Sequence, residues 1–291
     1  MARLRSVTLG AFMTLFSPWA CLVFGLAVDV AGHSSQVAAR ADPNLAGYLG
    51  VFFLGADPYV YFYLSNGNNP VSFRALNGGS PIIKPTKGTG GVRDPTIIPG
   101  GGSEAGKKWY IIGTDLDIGK YSTSDPSHTG SPSNIRIRYA YTSDFKTFTS
   151  PQTLIDKNPT NIIDLTILPI NGTDSNSFLR FMKDETRKTV FVEVSDTGLF
   201  GTWTRPGGDS AIIQQGVEGP AAYWDNTTPG KAHLLLDFYG QDGYRPFEST
   251  NPGSNSGWTG SDRSAFPTNL RHGSVLPVDQ AAYETLNARW G

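Results

Sequence analysis

The heptapeptide Arg93-Asp94-Pro95-Thr96-Ile97-Ile98-Pro99 sets one acidic residue directly before a short apolar strand. The same pattern, a polar residue followed by an apolar run, recurs without gaps at 163–169, 217–223 and 271–277. Self-similar segments separated by tens of residues are typical of folds built from repeated units. The four segments therefore predict four equivalent strands.

Each of the first three segments is followed, after a turn rich in Gly, Asn or Ser, by a second apolar strand, at 108–116, 177–185 and 232–240. The fourth segment has its equivalent partner at the other end of the chain, in 48–54. A second strand-turn-aromatic element also occurs four times, at 61–73, 139–149, 191–204 and 247–259. Two hairpins per unit predict four-stranded antiparallel blades, as in a β-propeller.

Composition agrees with an all-β fold, because 34 Gly, 20 Pro and only 17% charged residues favour many short strands over long helices. We predict a four-bladed β-propeller in which the last strand of the chain completes the blade begun by the N-terminal strands. That closure would remove the open sheet edge that β proteins must otherwise protect. A β-sandwich with coincidentally similar hairpins is the alternative.

The N-terminus has Arg3 and Arg5 followed by an apolar stretch from 7 to 28, the pattern of a secretory signal peptide. We predict a signal peptide at 1–27, a linker at 28–46 and the propeller domain at 47–291. The mature protein would be secreted, extracellular and without membrane contact; a membrane anchor is the alternative. The only cysteine, Cys21, lies in the apolar stretch, so no disulfide is expected in the mature chain.

The formal net charge is -1 and the sequence has no Lys/Arg run, so it offers no basic surface for the phosphates of nucleic acid. We therefore predict that nucleic acid is not a partner. We expect a monomer. Two N-x-S/T sequons begin at Asn171 and Asn226, in turn-like stretches, and predict a glycoprotein.

The polar residues of the four repeats are Asp94, Asp164, Glu218 and His272, and in a propeller such residues converge at one mouth of the central channel. Clustered carboxylates raise one another's pKa and are costly to bury, so a functional role explains them better than stability. Paired carboxylates are suited to glycoside hydrolysis. Each acidic residue alone could instead cap a turn, and His272 could bind a sugar hydroxyl, hold an ion through water or pair with a carboxylate.

The motifs that contain these residues resemble those of secreted glycoside hydrolase family 43, which includes arabinofuranosidases and xylosidases, from about Gly47 to the C-terminus. The matching runs are Gly90-Gly91-Val92-Arg93-Asp94-Pro95, Ile163-Asp164-Leu165-Thr166, Lys183-Asp184-Glu185, Glu218-Gly219-Pro220 and Arg271-His272-Gly273. The resemblance implies an inverting glycosidase acting on arabinose- or xylose-containing plant polysaccharides such as xylan. It implies Asp94 as general base, Asp164 as modulator of pKa and orientation, and Glu218 as general acid.

Members of that family have five blades, whereas four are countable here. Between the strands near Asp115 and Tyr139 there is only a polar loop, 119–134. The flanking hairpins could join as one hybrid blade, or the sequence could be an incomplete gene reading. The alternative function is a catalytically impaired carbohydrate-binding propeller that has lost a blade. A propeller that binds only proteins is a third alternative.

Further residues are expected to contact the polysaccharide or oligosaccharide substrate, namely His272, Arg271, Lys183, Asp184 and Asp237, with Tyr244 and Arg245 as additional candidates. Asp57, which also precedes a proline, falls at the wrong place in the repeat to be the base. No cofactor is required. A central calcium ion is possible but is not supported by the sequence alone, because calcium prefers six to eight oxygen ligands and a lone His with carboxylates is not diagnostic of it.

Overall fold

The structure, a computed structural model, describes residues 10–15, 21–26, 42–55, 57–101, 104, 107–117, 133–170 and 176–291. The strands in these ranges are β1 (Gly10–Leu15), β2 (Cys21–Leu26), β3 (Leu45–Leu54), β4 (Asp57–Ser65), β5 (Phe73–Ala75), β6 (Val92–Pro99), β7 (Trp109–Asp115), β8 (Arg136–Tyr139), β9 (Gln152–Asp156), β10 (Ile162–Pro169), β11 (Phe178–Asp184), β12 (Thr189–Ser195), β13 (Gln214–Gln215), β14 (Glu218–Trp224), β15 (Ala232–Phe238), β16 (Gly243–Ser249), β17 (Thr259–Gly260) and β18 (Leu270–Asp279).

Three antiparallel sheets have four strands each, in the orders β18-β3-β4-β5, β10-β11-β12-β13 and β14-β15-β16-β17. The strands β1-β2, β6-β7 and β8-β9 form two-stranded sheets. The prediction of an all-β protein built from antiparallel sheets is confirmed. One helix, α1 (Gln280–Trp290), was not expected; it starts because the Asp279 carboxylate accepts a hydrogen bond from the Ala282 amide at 2.8 Å.

The C-terminal strand β18 pairs along its whole length with β3, from Leu270 opposite Leu54 to Asp279 opposite Leu45. The last strand of the chain thus completes the sheet that the N-terminal strands begin, as the sequence predicts. A closed ring and the number of blades stay predictions.

The hybrid blade, one of the two options left open by the sequence, does not form among the described residues, since β6-β7 and β8-β9 are separate sheets. The hairpin β1-β2 lies between them, with β1 next to β8 and β2 next to β6 and β7. This hairpin falls within the predicted signal peptide, whose cleavage stays a prediction. The polar loop that would have joined the hybrid blade lies largely outside the described residues, as does most of the predicted linker. No helix in the described ranges is long and apolar enough to cross a membrane.

The inner strands β6, β10, β14 and β18 line one cavity of about 200 Å³. Neighbouring pairs are linked by polar contacts: the Thr166 hydroxyl donates to the Pro220 carbonyl at 2.6 Å, and the Ser274 hydroxyl accepts from the Ile97 amide at 3.1 Å. Buried aliphatic and aromatic residues pack behind these strands and between the sheets. The four repeats therefore converge on one centre.

The sequon at Asn226 is not available to a glycan. Asn226 is 4% exposed, and its side-chain amide donates to the Gly47 carbonyl at 3.0 Å and to Asn68 Oδ1 at 2.8 Å. Modification would break both hydrogen bonds, so the prediction of glycosylation is wrong at this residue. Asn171 lies outside the described residues.

Candidate active site

Each inner strand is interrupted by a β-bulge at the same place in the repeat. The register shifts lie between Arg93 and Thr96, between Ile163 and Thr166, between Glu218 and Ala221, and between Arg271 and Gly273. Within the bulges Asp94 has φ 52°, Asp164 has φ 54° and Gly219 has φ 54°. Positive φ is uncommon outside glycine, and aspartate is among the residues that tolerate it. Bulges at such positions re-aim side chains next to active sites.

The position of the bulge in β14 shows that the gapless alignment of the third repeat is wrong by one residue. Gly219, not Glu218, occupies the position of Asp94 and Asp164, because Glu218 still pairs in register with Asp237 before the bulge begins. A Cβ at Gly219 would lie 2.5 Å from the His272 ring, which explains why an acidic side chain does not occur there. Glu218 enters the site from one position earlier in the chain.

His272 joins two of the predicted catalytic carboxylates. Its Nδ1 lies 3.1 Å from Asp94 Oδ1, and its Nε2 lies 3.1 Å from Glu218 Oε1. Asp164, Glu218 and His272 each offer one atom within 4.8 Å of the others. The structure therefore brings Asp94, Asp164, Glu218 and His272 together. Asp94, Asp164 and His272 line the central cavity, and Glu218 is buried against His272.

Glu218 is 1% exposed and is surrounded by cations. Lys183 Nζ lies 2.7 Å from Glu218 Oε2 and 2.6 Å from Glu185 Oε2, and Arg271 Nη2 lies 3.3 Å from Glu218 Oε1. Arg271 also pairs through Nε with Asp237. A buried carboxylate needs such partners, because an uncompensated buried charge is strongly destabilising.

Of the five predicted substrate contacts, Arg271 is partly exposed, and His272 is largely buried but lines the cavity. Lys183 and Asp237 are fully buried and contact Glu218, Arg271 and His272, so they support these groups. Asp184 is also buried.

Asp184 does not join the cluster. Its carboxylate accepts the amide hydrogens of Thr186 and Arg187, at 3.0 Å and 2.9 Å, and so caps the turn between β11 and β12. Asp57, at the start of β4, accepts a 3.4 Å hydrogen bond from Tyr61 next to the β3–β4 turn. Arg245 pairs with Asp242.

Two neighbours of the site, Thr114 and Phe53, were missed, although they share one position of the repeat with Lys183 and Asp237. The residue paired opposite each inner strand just before its bulge is Thr114, Lys183, Asp237 or Phe53. Thr114 Oγ1 donates to Asp94 Oδ2 at 3.1 Å, and the Phe53 ring lies 6.3 Å from the His272 ring. Aligning the second strands of the repeats would have found both.

The surroundings move the pKa values of these groups in different directions. Burial raises the pKa of Asp94, but the hydrogen bond and charge of His272 outweigh it, so that pKa is lowered. Burial raises the pKa of Asp164; the charge of His272 opposes this, the negative charge of Glu218 adds to it, and the pKa stays raised. Burial alone would lower the pKa of His272, yet Glu218 and Asp164 hold it well above its usual value. Asp94 thus stays ionised and His272 protonated.

A metal ion would find three ligand atoms here, from Asp164, Glu218 and His272. Lys183 and Arg271 already contact both oxygens of Glu218, and one of the three donors is a nitrogen. This donor set does not suit calcium, which prefers six to eight oxygens.

Comparison with known proteins identifies the family. Residues 43–123 and 119–284 match a family model described as "Probable glycosyl hydrolase domain", which is related to glycoside hydrolase family 43. Among solved structures, a family 43 β-1,3-galactosidase matches with 14% identity and a TM-score of 0.34 over 81% of this chain. The match covers 48% of that structure, so the chain spans about half its length. Comparison with curated proteins gives no match. Because the family model covers most of the sequence, the chain belongs to this family of glycosyl hydrolases related to family 43.

Proposed function

We propose that the protein is a secreted, inverting glycosidase that hydrolyses arabinose- or xylose-containing plant polysaccharides, including xylan. The observation that carries this proposal is the convergence of Asp94, Asp164 and Glu218 around His272, which lines the central cavity. Inverting hydrolysis requires one carboxylate that activates water and one carboxylic acid that protonates the leaving oxygen. Both functions can be assigned to named residues.

Asp94 is the general base. Its side chain is 25% exposed, so a water molecule can reach it, and the hydrogen bonds from His272 and Thr114 fix its orientation. The hydrogen bond and charge of His272 outweigh burial and lower its pKa, which favours the ionised carboxylate. An ionised, oriented carboxylate is the form that takes a proton from the attacking water.

The proton for the leaving group comes from the pair Asp164 and Glu218, with Glu218 as donor and Asp164 as modulator. Two close carboxylates share protons and titrate as a unit. Burial raises the pKa of Asp164, the charge of His272 opposes this and the charge of Glu218 adds to it, so Asp164 holds a proton beside Glu218. The two side chains offer oxygens within 4.8 Å of each other. Asp164 Oδ2 also accepts the Gly219 amide at 3.0 Å, which orients the backbone next to Glu218.

The separation of base and acid supports single displacement. Asp94 and Glu218 contact opposite nitrogens of one imidazole, at 3.1 Å each. The His272 ring therefore lies between the two carboxylates, and an inverting mechanism requires roughly 6.5 to 9.5 Å between acid and base.

The first test is hydrolysis by the mature protein of arabinan, arabinoxylan and xylan, with release of free sugars measured by chromatography. Asp94→Asn is the control, since it keeps the size of the side chain and removes the base. We expect release by the wild type and at least a hundredfold lower rate for the variant. Binding without hydrolysis at any pH from acid to neutral would instead support the carbohydrate-binding alternative.

Secretion is tested separately by N-terminal sequencing of the protein exported by a suitable host. We expect a first residue near Val28. A mature chain beginning at Met1 would support a membrane anchor instead.

A further inference from the structure

The hydroxyl of Tyr244 connects two inner strands next to the carboxylate site. Tyr244 lies on β16 and is 2% exposed. Its hydroxyl donates to the Gly219 carbonyl of β14 at 2.6 Å and accepts from the Gly273 amide of β18 at 3.0 Å. One buried hydroxyl thus uses both its donor and its acceptor capacity on the backbone of two different sheets.

Both contacts fall at the bulges that carry site residues. Gly219 follows Glu218, and Gly273 follows His272. The amide of Gly219 donates to Asp164 at 3.0 Å, so side chains hold both polar backbone groups of this glycine. A Cβ on Gly219 would lie 2.5 Å from the His272 ring, which means that little room remains for the bulge to shift.

We propose that Tyr244 is a positioning residue that clamps the β14 bulge to the β18 bulge and so fixes Glu218 relative to His272. The inference rests on the proposed function of the site. The bulges interrupt the regular pairing of β14 and β18, so the backbone at Gly219 and Gly273 is held there by side-chain contacts such as those of Tyr244. Active sites need their groups held to within about 0.5 Å, and the Tyr244 hydroxyl connects these two backbones directly.

The test is Tyr244→Phe, which removes one oxygen and keeps the ring. Tyr223→Phe is the matched control: Tyr223 is also 2% exposed, lies on β14, and donates to the Pro70 carbonyl at 2.6 Å, away from the bulges. We expect both variants to lower the melting temperature by similar amounts. Only Tyr244→Phe should lower kcat, by roughly ten- to a hundredfold, with KM changed less than about twofold.

A second readout does not depend on activity. Amide hydrogen exchange, followed by NMR, should become faster at Gly219 in Tyr244→Phe, although the Gly219 amide itself bonds to Asp164 and not to Tyr244. Tyr223→Phe should leave that amide as protected as in the wild type. Exchange reports local opening of the backbone.

The outcomes separate the two proposals. An inactive wild-type protein refutes the proposed function. The clamp is then tested by amide exchange alone: faster exchange at Gly219 in Tyr244→Phe supports it, and unchanged exchange contradicts it. If the wild type is active, equal kcat for wild type and Tyr244→Phe overturns the positioning role. Equal losses of kcat in both variants also overturn it, because the hydroxyl then contributes only stability.

Discussion

Asp94 Oδ1 lies 3.1 Å from Nδ1 of His272, and this contact joins the first and last inner strands of the repeat. Each group favours the charged form of the other, in addition to the effects of burial and further neighbours. Against the effect of burial, His272 lowers the pKa of Asp94. The pKa of His272 is raised, also against burial, mainly by Glu218 and Asp164 and then by Asp237 and Asp94.

The pH dependence of stability follows from His272. The pKa of His272 in the folded protein lies well above the usual 6.5. Its contribution to the free energy of unfolding is therefore complete below about pH 6.5 and is lost as the pH rises through the folded pKa. Asp94 has the opposite pH dependence, because its pKa is lowered in the folded protein. It stabilises the fold above about pH 3.8, and this stabilisation is lost as the pH falls through the folded pKa. We expect urea unfolding to give a wild-type free energy that falls between pH 7 and 10 more steeply than that of His272→Gln. Parallel curves would contradict a raised pKa.

The alkaline limb of the pH-rate profile should depend on Asp164. Close carboxylates raise one another's pKa, so loss of the Asp164 charge lowers the pKa of the pair's remaining acid. In Asp164→Asn, kcat/KM should therefore fall off at lower pH than in the wild type. The profile is measured on one natural oligosaccharide from pH 4 to 9. A limb that stays in place or moves to higher pH would exclude Asp164 as modulator.

Gly219→Ala should disrupt the site. The new Cβ would lie 2.5 Å from the His272 ring, in addition to the strain of φ 54°. Gly216→Ala is the control, because Gly216 has φ 72° but nothing within 4 Å of its added Cβ. We expect thermal unfolding to give a loss of about 1–2 kcal/mol for Gly216→Ala with activity retained. Gly219→Ala should lose more stability and at least tenfold in activity; similar behaviour of both variants would contradict the tight fit.

Asn226 should carry no glycan when the protein is secreted by a eukaryotic host. Its side-chain amide is buried and donates to Gly47 and Asn68. Mass spectrometry of tryptic peptides gives the occupancy directly. A glycan on Asn226 in the folded, active protein would contradict the burial and the hydrogen bonds of this side chain.

The sequence predicts the inner strands and their convergence well, because apolar runs with a polar residue at a fixed place repeat in an observable pattern. It predicts that β18 pairs with β3 for the same reason. The pattern does not report a bulge, which shifts a strand by one residue without changing its composition. The one-residue offset of Glu218 relative to Asp94 could therefore be seen only in the structure.

The charged partners were harder to assign than the carboxylates. Lys183 and Asp237 are recognisable as polar residues near strand ends, but sequence cannot distinguish a side chain that faces a ligand from one that supports a buried carboxylate. The same limit applies to Asp184, whose hydrogen bonds are to the turn that follows it. Helix α1 was missed because it follows the fourth repeat, and the prediction was built from the repeated strands alone.

The roles of Asp94 and Glu218 as base and acid are tested most directly by two variants on two classes of substrate. Initial rates of Glu218→Gln and Asp94→Asn are compared on aryl glycosides with good leaving groups and on natural oligosaccharides with poor ones. The acid is needed only where the leaving oxygen requires a proton, whereas water activation is always needed. We predict that Glu218→Gln retains much of its activity on the aryl glycosides alone, and that Asp94→Asn loses activity on both. Equal losses for Glu218→Gln on the two classes would contradict the account.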